Sequence, residues 1–230
     1  MKIVVFSGAG MSAESGVATF RDSGGLWENH RIEDVATPEA FARDPERVLE
    51  FYNVRRKQIA EVEPNQAHKL VKSLEDYGEV HVITQNIDDL HERAGSNNVL
   101  HLHGEIMKAQ SSKDPDYVEK LEKLTIDIGD LCPKGGQLRP HVVWFGEAVP
   151  MMTPAIEITA KADVFIVIGT SLNVYPAASL VTAVSPNCQG FIIDPDENHV
   201  GASEQYRHIK ANASEGMEIV YKSLQSSSNL

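Results

Sequence analysis

The amino-acid sequence predicts an α/β fold, a doubly wound parallel sheet that carries a small inserted helical module. Three observations lead there. Four short apolar runs, Ile3–Phe6, Val80–Ile83, Val164–Ile168 and Phe191–Ile193, are rich in β-branched residues and continuous rather than alternating. Such runs suit strands covered on both faces, as in a parallel sheet. Each run ends in polar or glycine-rich residues, Ser7-Gly8-Ala9-Gly10, Thr84-Gln85-Asn86, Gly169-Thr170-Ser171 and Asp194-Pro195, where an open α/β sheet binds its ligand. Helical periodicity fills the intervals between the runs.

The elements follow in order. Ile3–Phe6 opens the chain as a buried strand and runs at once into glycines. Pro45–Ile59 reads as a helix with Val48, Phe51, Tyr52, Arg55 and Ile59 on one face. Asn65 can cap a helix carrying Ala67, Leu70, Val71 and Leu74. The last long helix carries Ile209, Ala213, Met217, Val220 and Leu224. One stretch breaks the rhythm: between His103 and Pro140 no strand of the buried kind is evident, and Asp114-Pro115 opens an apparent helix with Tyr117, Val118, Leu121 and Leu124 on one side. Residues 104–140 are therefore expected to be a helical insertion within a single unit spanning 1–230.

Length and composition narrow the class. A chain of 230 residues can bury one sizeable core. A formal net charge of −12 argues against nucleic acid as a partner, because the phosphate backbone would be repelled. No apolar stretch reaches the length that spans a bilayer, so no membrane partner is expected. The opening apolar run is too short for a secretory core, and the two cysteines, Cys132 and Cys188, suit a reducing compartment. The expected location is cytoplasmic.

After the first run, Gly8-Ala9-Gly10-Met11-Ser12-Ala13 matches G-x-G-x-x-G/A. Glycines allow the tight turn and let the backbone approach a pyrophosphate. The pattern alone is weak, since it also occurs where a strand simply meets a helix. Further motifs follow it: Glu14-Ser15-Gly16, Thr19-Phe20-Arg21, Thr84-Gln85-Asn86-Ile87-Asp88, Leu102-His103-Gly104, Cys132-Pro133, Gly135-Gly136-Gln137-Leu138-Arg139-Pro140, Val143-Trp144-Phe145-Gly146-Glu147 and Gly169-Thr170-Ser171-Leu172. In that order the series resembles the sirtuin family of NAD-dependent protein-lysine deacylases, over residues 3 to 215 or so, and in particular its bacterial-like desuccinylase/deacetylase type.

What the resemblance implies can be carried over by position. The large domain would be Rossmann-like, with NAD as co-substrate and its diphosphate on Gly8, Ala9, Gly10 and Ser12. Phe20, Arg21, Gln85, Asn86 and Asp88 would line the nicotinamide–ribose pocket. Gly169, Thr170 and Ser171 would supply further contacts, with Thr19, Trp27, Ile87 and Ala213 also in the cofactor set. His103 would be the general base, assisted by Asn86 and Asp88. Phe145, Gly146, Glu147, Val174 and Tyr175 would clamp the target peptide as an added strand. The partners implied are proteins bearing acyl-lysine.

The residue types suit that chemistry. An acyl-lysine carbonyl oxygen attacks the ribose carbon bearing nicotinamide, whose bond is weakened by the ring's positive charge. A buried amide and carboxylate can orient the nicotinamide end and a water. An imidazole near neutral pKa can deprotonate a ribose hydroxyl and so collapse the imidate intermediate. His91, His101 and His141 also stand near motifs, and a base is recognised by geometry that a sequence lacks; only the family match singles out His103.

Tyr52 and Arg55 lie three residues apart and share a helix face. An arginine on an apolar face requires a partner. A phenol beside a guanidinium makes a grip for a carboxylate, and this Tyr-x-x-Arg resembles the pair that marks sirtuins preferring succinyl-, malonyl- or glutaryl-lysine. The structural alternative is an arginine paired with an internal carboxylate.

Three departures from the family stand out. The usual small module holds zinc through two C-x-x-C pairs, and tetrahedral zinc needs four ligands. Residues 104–140 offer only Cys132 and no histidine, so no zinc is expected and hydrophobic packing must hold the module. Ala18 stands where proline is usual. Asp194 stands where asparagine commonly meets the adenosine ribose; a carboxylate there disfavours a 2′-phosphate and so favours NAD over NADP. Competing readings are a sirtuin-like module that binds NAD or ADP-ribose without activity, a protein ADP-ribosyltransferase, and a dehydrogenase, for which no hydride-transfer constellation is evident.

Overall fold

The computed structural model describes residues 1–18, 26–27, 30–196 and 205–228. The elements run β1 (Lys2–Ser7), α1 (Gly10–Ala13), β2 (Leu26–Trp27), β3 (His30–Arg31), α2 (Ile32–Val35), α3 (Pro38–Arg43), α4 (Pro45–Glu61), α5 (Gln66–Ser73), β4 (Glu79–Thr84), α6 (Leu90–Arg93) and β5 (Val99–His101). They continue with β6 (Gly104–Ser111), β7 (Val118–Lys120), β8 (Leu138–Val142), α7 (Met152–Thr159), β9 (Val164–Ile168), β10 (Gln189–Ile193), β11 (Tyr206–Ile209) and α8 (Ala213–Ser228).

The main sheet has the order β11-β10-β9-β1-β4-β5, and every pairing in it is parallel. β1 shows why its sequence is continuously apolar. Ile3 and Val5 enter one core with Val71 and Leu74 from the α5 side and Met217 and Val220 of α8. Val4 and Phe6 enter the opposite core with Phe165, Ala155 and Leu180. Each such side chain, fully buried, stabilises by about 1.5–3 kcal/mol relative to exposure. The chain builds β4 and β5 on one side of β1, then returns to build β9, β10 and β11 on the other. The strand order thus reverses between β1 and β9, which makes their carboxyl ends the switch point where such sheets bind ligands.

All four predicted strands are present. α4 and α5 also form where the apolar periodicity places them. One boundary is corrected: Ile209 belongs to edge strand β11, paired with Ile193 of β10, and the last helix begins at Ala213.

The inserted module is not helical, which corrects the expectation for residues 104–140. It is a three-stranded antiparallel sheet, β7-β6-β8. β6 is a buried-face strand, with Gly104, Ile106, Ala109 and Ser111 buried, but its register on β8 shifts between Glu105 and Ala109. That irregularity breaks the two-residue period that would have marked it. The predicted helix from Asp114 is instead a turn leading into β7, where Val118, Glu119 and Lys120 pair with Gln110, Ala109 and Lys108. Tyr117 and Leu121 pack on the module core while Val118 and Leu124 are exposed. A spacing of four residues satisfies both the helical and the extended period, so Tyr117 and Leu121 share a face either way.

Helices α2–α4 cover this small sheet. Val35, Val48, Tyr52 and Ile59 pack on Ile106, Val142 and Trp144, and Leu49 packs on Ala109, Ile126, Cys132 and Leu138. Among the described residues no helix is long and apolar enough to cross a membrane.

Asn65 ties the helical layer to the glycine turn. Its Oδ1 accepts from the backbone N–H groups of Ala67 at 3.0 Å and His68 at 3.3 Å, while its Nδ2 donates to the Met11 carbonyl at 2.8 Å. Asn65→Ala is expected to lower stability by about 1–2 kcal/mol in urea unfolding; an unchanged midpoint would show that the cap contributes nothing.

Candidate active site

The carboxyl end of β1 meets that of β9 with no room for a side-chain atom. Gly8 N–H donates to the Ile168 carbonyl at 3.0 Å and Gly10 N–H to the Gly169 carbonyl at 2.8 Å. A Cβ on Gly8 would stand 2.7 Å from Thr170 Cβ, and one on Gly10 would stand 2.8 Å from Gly169 Cα. Gly169 has φ +63° and a Cβ there would lie 2.3 Å from the Met11 nitrogen, so both space and conformation demand glycine. Leu172, with φ +57°, is left-handed without being glycine, a costly conformation that clusters at functional sites. Its N–H is held by Thr170 Oγ1 at 3.2 Å.

Beside this turn lies a buried polar chain. Asn86 Nδ2 donates to Ser12 Oγ at 3.1 Å, and Ser12 Oγ donates to Asp88 Oδ2 at 3.0 Å. Leu90 N–H donates to the other Asp88 oxygen at 3.2 Å. Burial pushes the Asp88 carboxyl above the usual range, against the Leu90 and Ser12 hydrogen bonds. Gln85 Nε2 donates to Thr170 Oγ1 at 2.9 Å, which links the residues after β4 to those after β9. Ile87 accepts from Ile106 N–H at 2.8 Å and so joins the site to the small sheet.

His103 follows β5. Its Nδ1 lies 3.0 Å from the Gln85 carbonyl oxygen; a carbonyl only accepts, so the proton sits on Nδ1 and Nε2 keeps its lone pair. Burial depresses the His103 pKa, opposed by that hydrogen bond. A neutral imidazole with a fixed tautomer and a free basic nitrogen is what a general base requires.

Residues 8–176 match the Sir2 family. The chain belongs to the Sir2 family. It is 51% identical over 221 residues to an NAD-dependent protein deacylase of Bacteroides thetaiotaomicron, covering 94% of both chains. It is 49% identical to one of Helicobacter pylori, covering 94% of this chain and 92% of the other. Among solved structures, a Sir2 homologue–NAD complex superposes with a TM-score of 0.87 at 40% identity, covering 98% and 90% of the two chains.

Within this Sir2 chain the remaining expected residues fall as follows. Thr19, Phe20 and Arg21 lie outside the described residues, as does the side chain of Trp27. Asp194 is buried at the end of β10 and accepts from Asp196 N–H at 2.9 Å. Ala213 is buried at the start of α8, where Ser214 N–H is bound by the Glu14 carboxylate at 2.8 Å. Ser171 is half-buried. Phe145, Val174 and Tyr175 are exposed, Tyr175 by 76%, and Gly146 has φ +92°. The Glu147 carboxylate turns inward: it binds Arg139 Nη2 at 2.8 Å and accepts from Trp144 N–H at 2.8 Å.

Tyr52 and Arg55 sit on α4 beneath that inward-turned group. Arg55 is only 6% exposed and lines a cleft of about 290 Å³ with Gly16, Val17, Ala18 and Gln58. Trp144 Nε1 donates to the Tyr52 hydroxyl at 3.0 Å, and the Arg139 guanidinium lies 3.8 Å from the Trp144 ring centroid. Burial drives the Tyr52 phenol far above its ordinary range, so the hydroxyl remains protonated and able to donate. The sequence assigned neither Trp144 nor Arg139 these roles; the only signal was their place in the motifs at 135–140 and 143–147.

The zinc that the family commonly carries does not fit the residues present. Cys132 Sγ lies 3.1 Å from Ser111 Oγ and accepts from Gly136 N–H at 3.3 Å, and among the described residues no group of three or more His, Cys, Asp or Glu side chains could hold a metal. The NAD set fits by its place in the fold, since the glycine turn stands at the carboxyl ends of β1 and β9, the switch point at which such sheets bind nucleotides.

His68 and His91 form a buried edge-to-face pair beneath the site, ring centroids 4.8 Å apart. Burial lowers the His68 pKa from 6.5 to about 4, against the Glu92 charge, and lowers His91 well below the ordinary value. A depressed folded pKa means the unfolded chain takes the proton first. Stability is then present above the unfolded value of 6.5 and lost as pH falls toward about 4. At about 1.4 kcal/mol per pH unit, His68 alone removes roughly 2 kcal/mol by pH 5. Urea unfolding at pH 7 and pH 5 should show that loss reduced in His68→Gln; equal losses in both proteins would refute the assignment.

Proposed function

We propose that this Sir2-family chain is an NAD-dependent protein deacylase that removes succinyl and malonyl groups, and acetyl groups less selectively, from lysine side chains. Nicotinamide, the free lysine amine and O-acyl-ADP-ribose are the products, and one water is consumed. NAD supplies a ribose carbon made electrophilic by its cationic leaving group. The substrates are acyl-lysine proteins. The two free, buried cysteines, Cys132 and Cys188, fit a reducing compartment such as the cytoplasm.

The observation that supports the deacylase reading is the convergence of His103 with the Asn86–Ser12–Asp88 chain at the β1/β9 switch point. Gly8, Ala9, Gly10, Ser12, Gly169, Thr170 and Ser171 would hold the diphosphate and ribose. Asn86 and Asp88 orient the nicotinamide end and a water. His103 Nε2 takes the proton from a ribose hydroxyl. Phe145, Gly146, Val174 and Tyr175 receive the peptide, with Glu147 supporting them from beneath through Arg139 and Trp144 N–H. Both relatives described above carry the deacylase name, which favours catalysis over a binding-only module.

Selectivity for acidic acyl groups rests on Arg55. Arg55 lines the cleft and its Nη2 donates to the Ala18 carbonyl at 3.4 Å, and Tyr52 lies one helical turn away on α4. A carboxylate offers the guanidinium a bidentate partner, whereas an acetyl group does not.

His103→Gln is expected to lower turnover by about 10²–10⁴-fold while calorimetric NAD binding persists; loss of binding instead would make His103 structural. With matched peptides, succinyl-lysine should react faster than acetyl-lysine, chelator should leave both rates unchanged, and Arg55→Met should erase the succinyl advantage. An unaltered preference in Arg55→Met, read by mass spectrometry, would overturn the acyl assignment.

A further inference from the structure

His103 has a companion two residues earlier. His101 Nδ1 lies 2.9 Å from the Asn86 carbonyl oxygen and its Nε2 lies 2.8 Å from Glu92 Oε1. His103 grips the carbonyl of Gln85, so two histidines hold two successive carbonyls of the segment that carries Asn86 and Asp88. Both partners of His101 are pure acceptors. A neutral imidazole has one N–H and would leave one acceptor facing a lone pair; satisfying both requires the doubly protonated ring.

We infer that His101 is a positioning residue: as an imidazolium paired with Glu92, it fixes the Asn86 carbonyl and thereby the Asn86–Ser12–Asp88 chain. The inference rests on the active-site reading only for the roles of Asn86 and Asp88.

The charged groups around the ring agree with this. Burial opposes a charge on the ring, while Glu92 of α6, the Asn86 carbonyl and Glu105 of β6 favour it; the ring's charge in turn lowers the pKa of His91 of α6 and of His141 of β8. The Asp88 carboxylate, in turn, is stabilised by the His101 charge. Backbone constraint supports the geometry from the other side, since Leu102 N–H donates to the Thr84 carbonyl at 2.9 Å and β5 pairs His101 with Thr84. His101 is itself only 9% exposed. The ring therefore sits between a fixed strand and the segment it holds, which is where a small displacement would reach the reacting groups.

The test uses the full chain labelled with ¹⁵N-histidine. One imidazole should keep both nitrogens protonated at neutral pH and remain so after the other rings have become neutral. That signal should vanish in His101→Gln and titrate at lower pH in Glu92→Gln. In the same Glu92→Gln protein, which preserves shape, the alkaline limb of nicotinamide release should move to lower pH by about one unit, with turnover down of order tenfold. A singly protonated His101 ring at neutral pH would overturn the inference. So would a Glu92→Gln variant that alters the ring's titration yet leaves the pH profile untouched. Should the parent protein turn over no acyl peptide, the proposed function fails by itself. The imidazole spectra still decide the protonation, and the pH dependence of calorimetric NAD binding in Glu92→Gln decides the positioning.

Discussion

The contact between the Gly8–Ala9–Gly10 turn and the Gly169–Thr170 turn constrains the rest of the molecule. Two backbone segments from strands far apart in sequence approach so closely that a single added methyl would collide with main-chain atoms. That closeness is possible only where strands β1 and β9 lie side by side, and their pairing from Ile3–Val164 to Ser7–Ile168 sets it. Once the two turns are locked, Gln85 can reach Thr170 and Ser12 can reach Asp88. The site is thus a consequence of strand packing rather than a set of loops arranged independently.

A second principle operates around the buried histidines. His68, His91, His101 and His103 occupy one region, yet their partners give them different protonation. His68 and His91 are buried against each other and stay neutral. His103 faces a carbonyl on one nitrogen and keeps a basic lone pair on the other. His101 lies between a carbonyl and a carboxylate. Burial disfavours the charged form in every case; what separates His101 is the Glu92 carboxylate hydrogen-bonded to its ring, whereas His68 feels that charge without such a bond.

The small sheet is held by apolar packing in which Leu49 of α4 meets Ala109, Ile126, Cys132 and Leu138. α4 is therefore both the support of the module and the carrier of Tyr52 and Arg55. Trp144 connects the two functions, since it packs in the α4 cluster, donates to Tyr52 and lies under Arg139, which in turn binds Glu147. The segment that carries Phe145 and Glu147 and the helix α4 are consequently joined in one packed unit.

The sequence by itself determined the parallel sheet, the glycine turn, the helices α4 and α5 and the family, because each depends on local periodicity or on residue types at short spacing. Ile3–Phe6 could be read as a doubly covered strand from its own composition, and Asn65 as a cap from its neighbours. The module at 104–140 was not legible, because the register shift in β6 hides its period and the Tyr117–Leu121 spacing fits helix and strand alike. Only the tertiary structure decided the partners of single polar atoms: which carbonyl each histidine faces, that Ser12 bridges Asn86 and Asp88, and that Glu147 turns inward to Arg139. Those contacts join residues as much as 76 positions apart, as for Ser12 and Asp88. Long-range polar pairing leaves no periodic trace in the chain, since one hydrogen bond constrains one residue and not its neighbours.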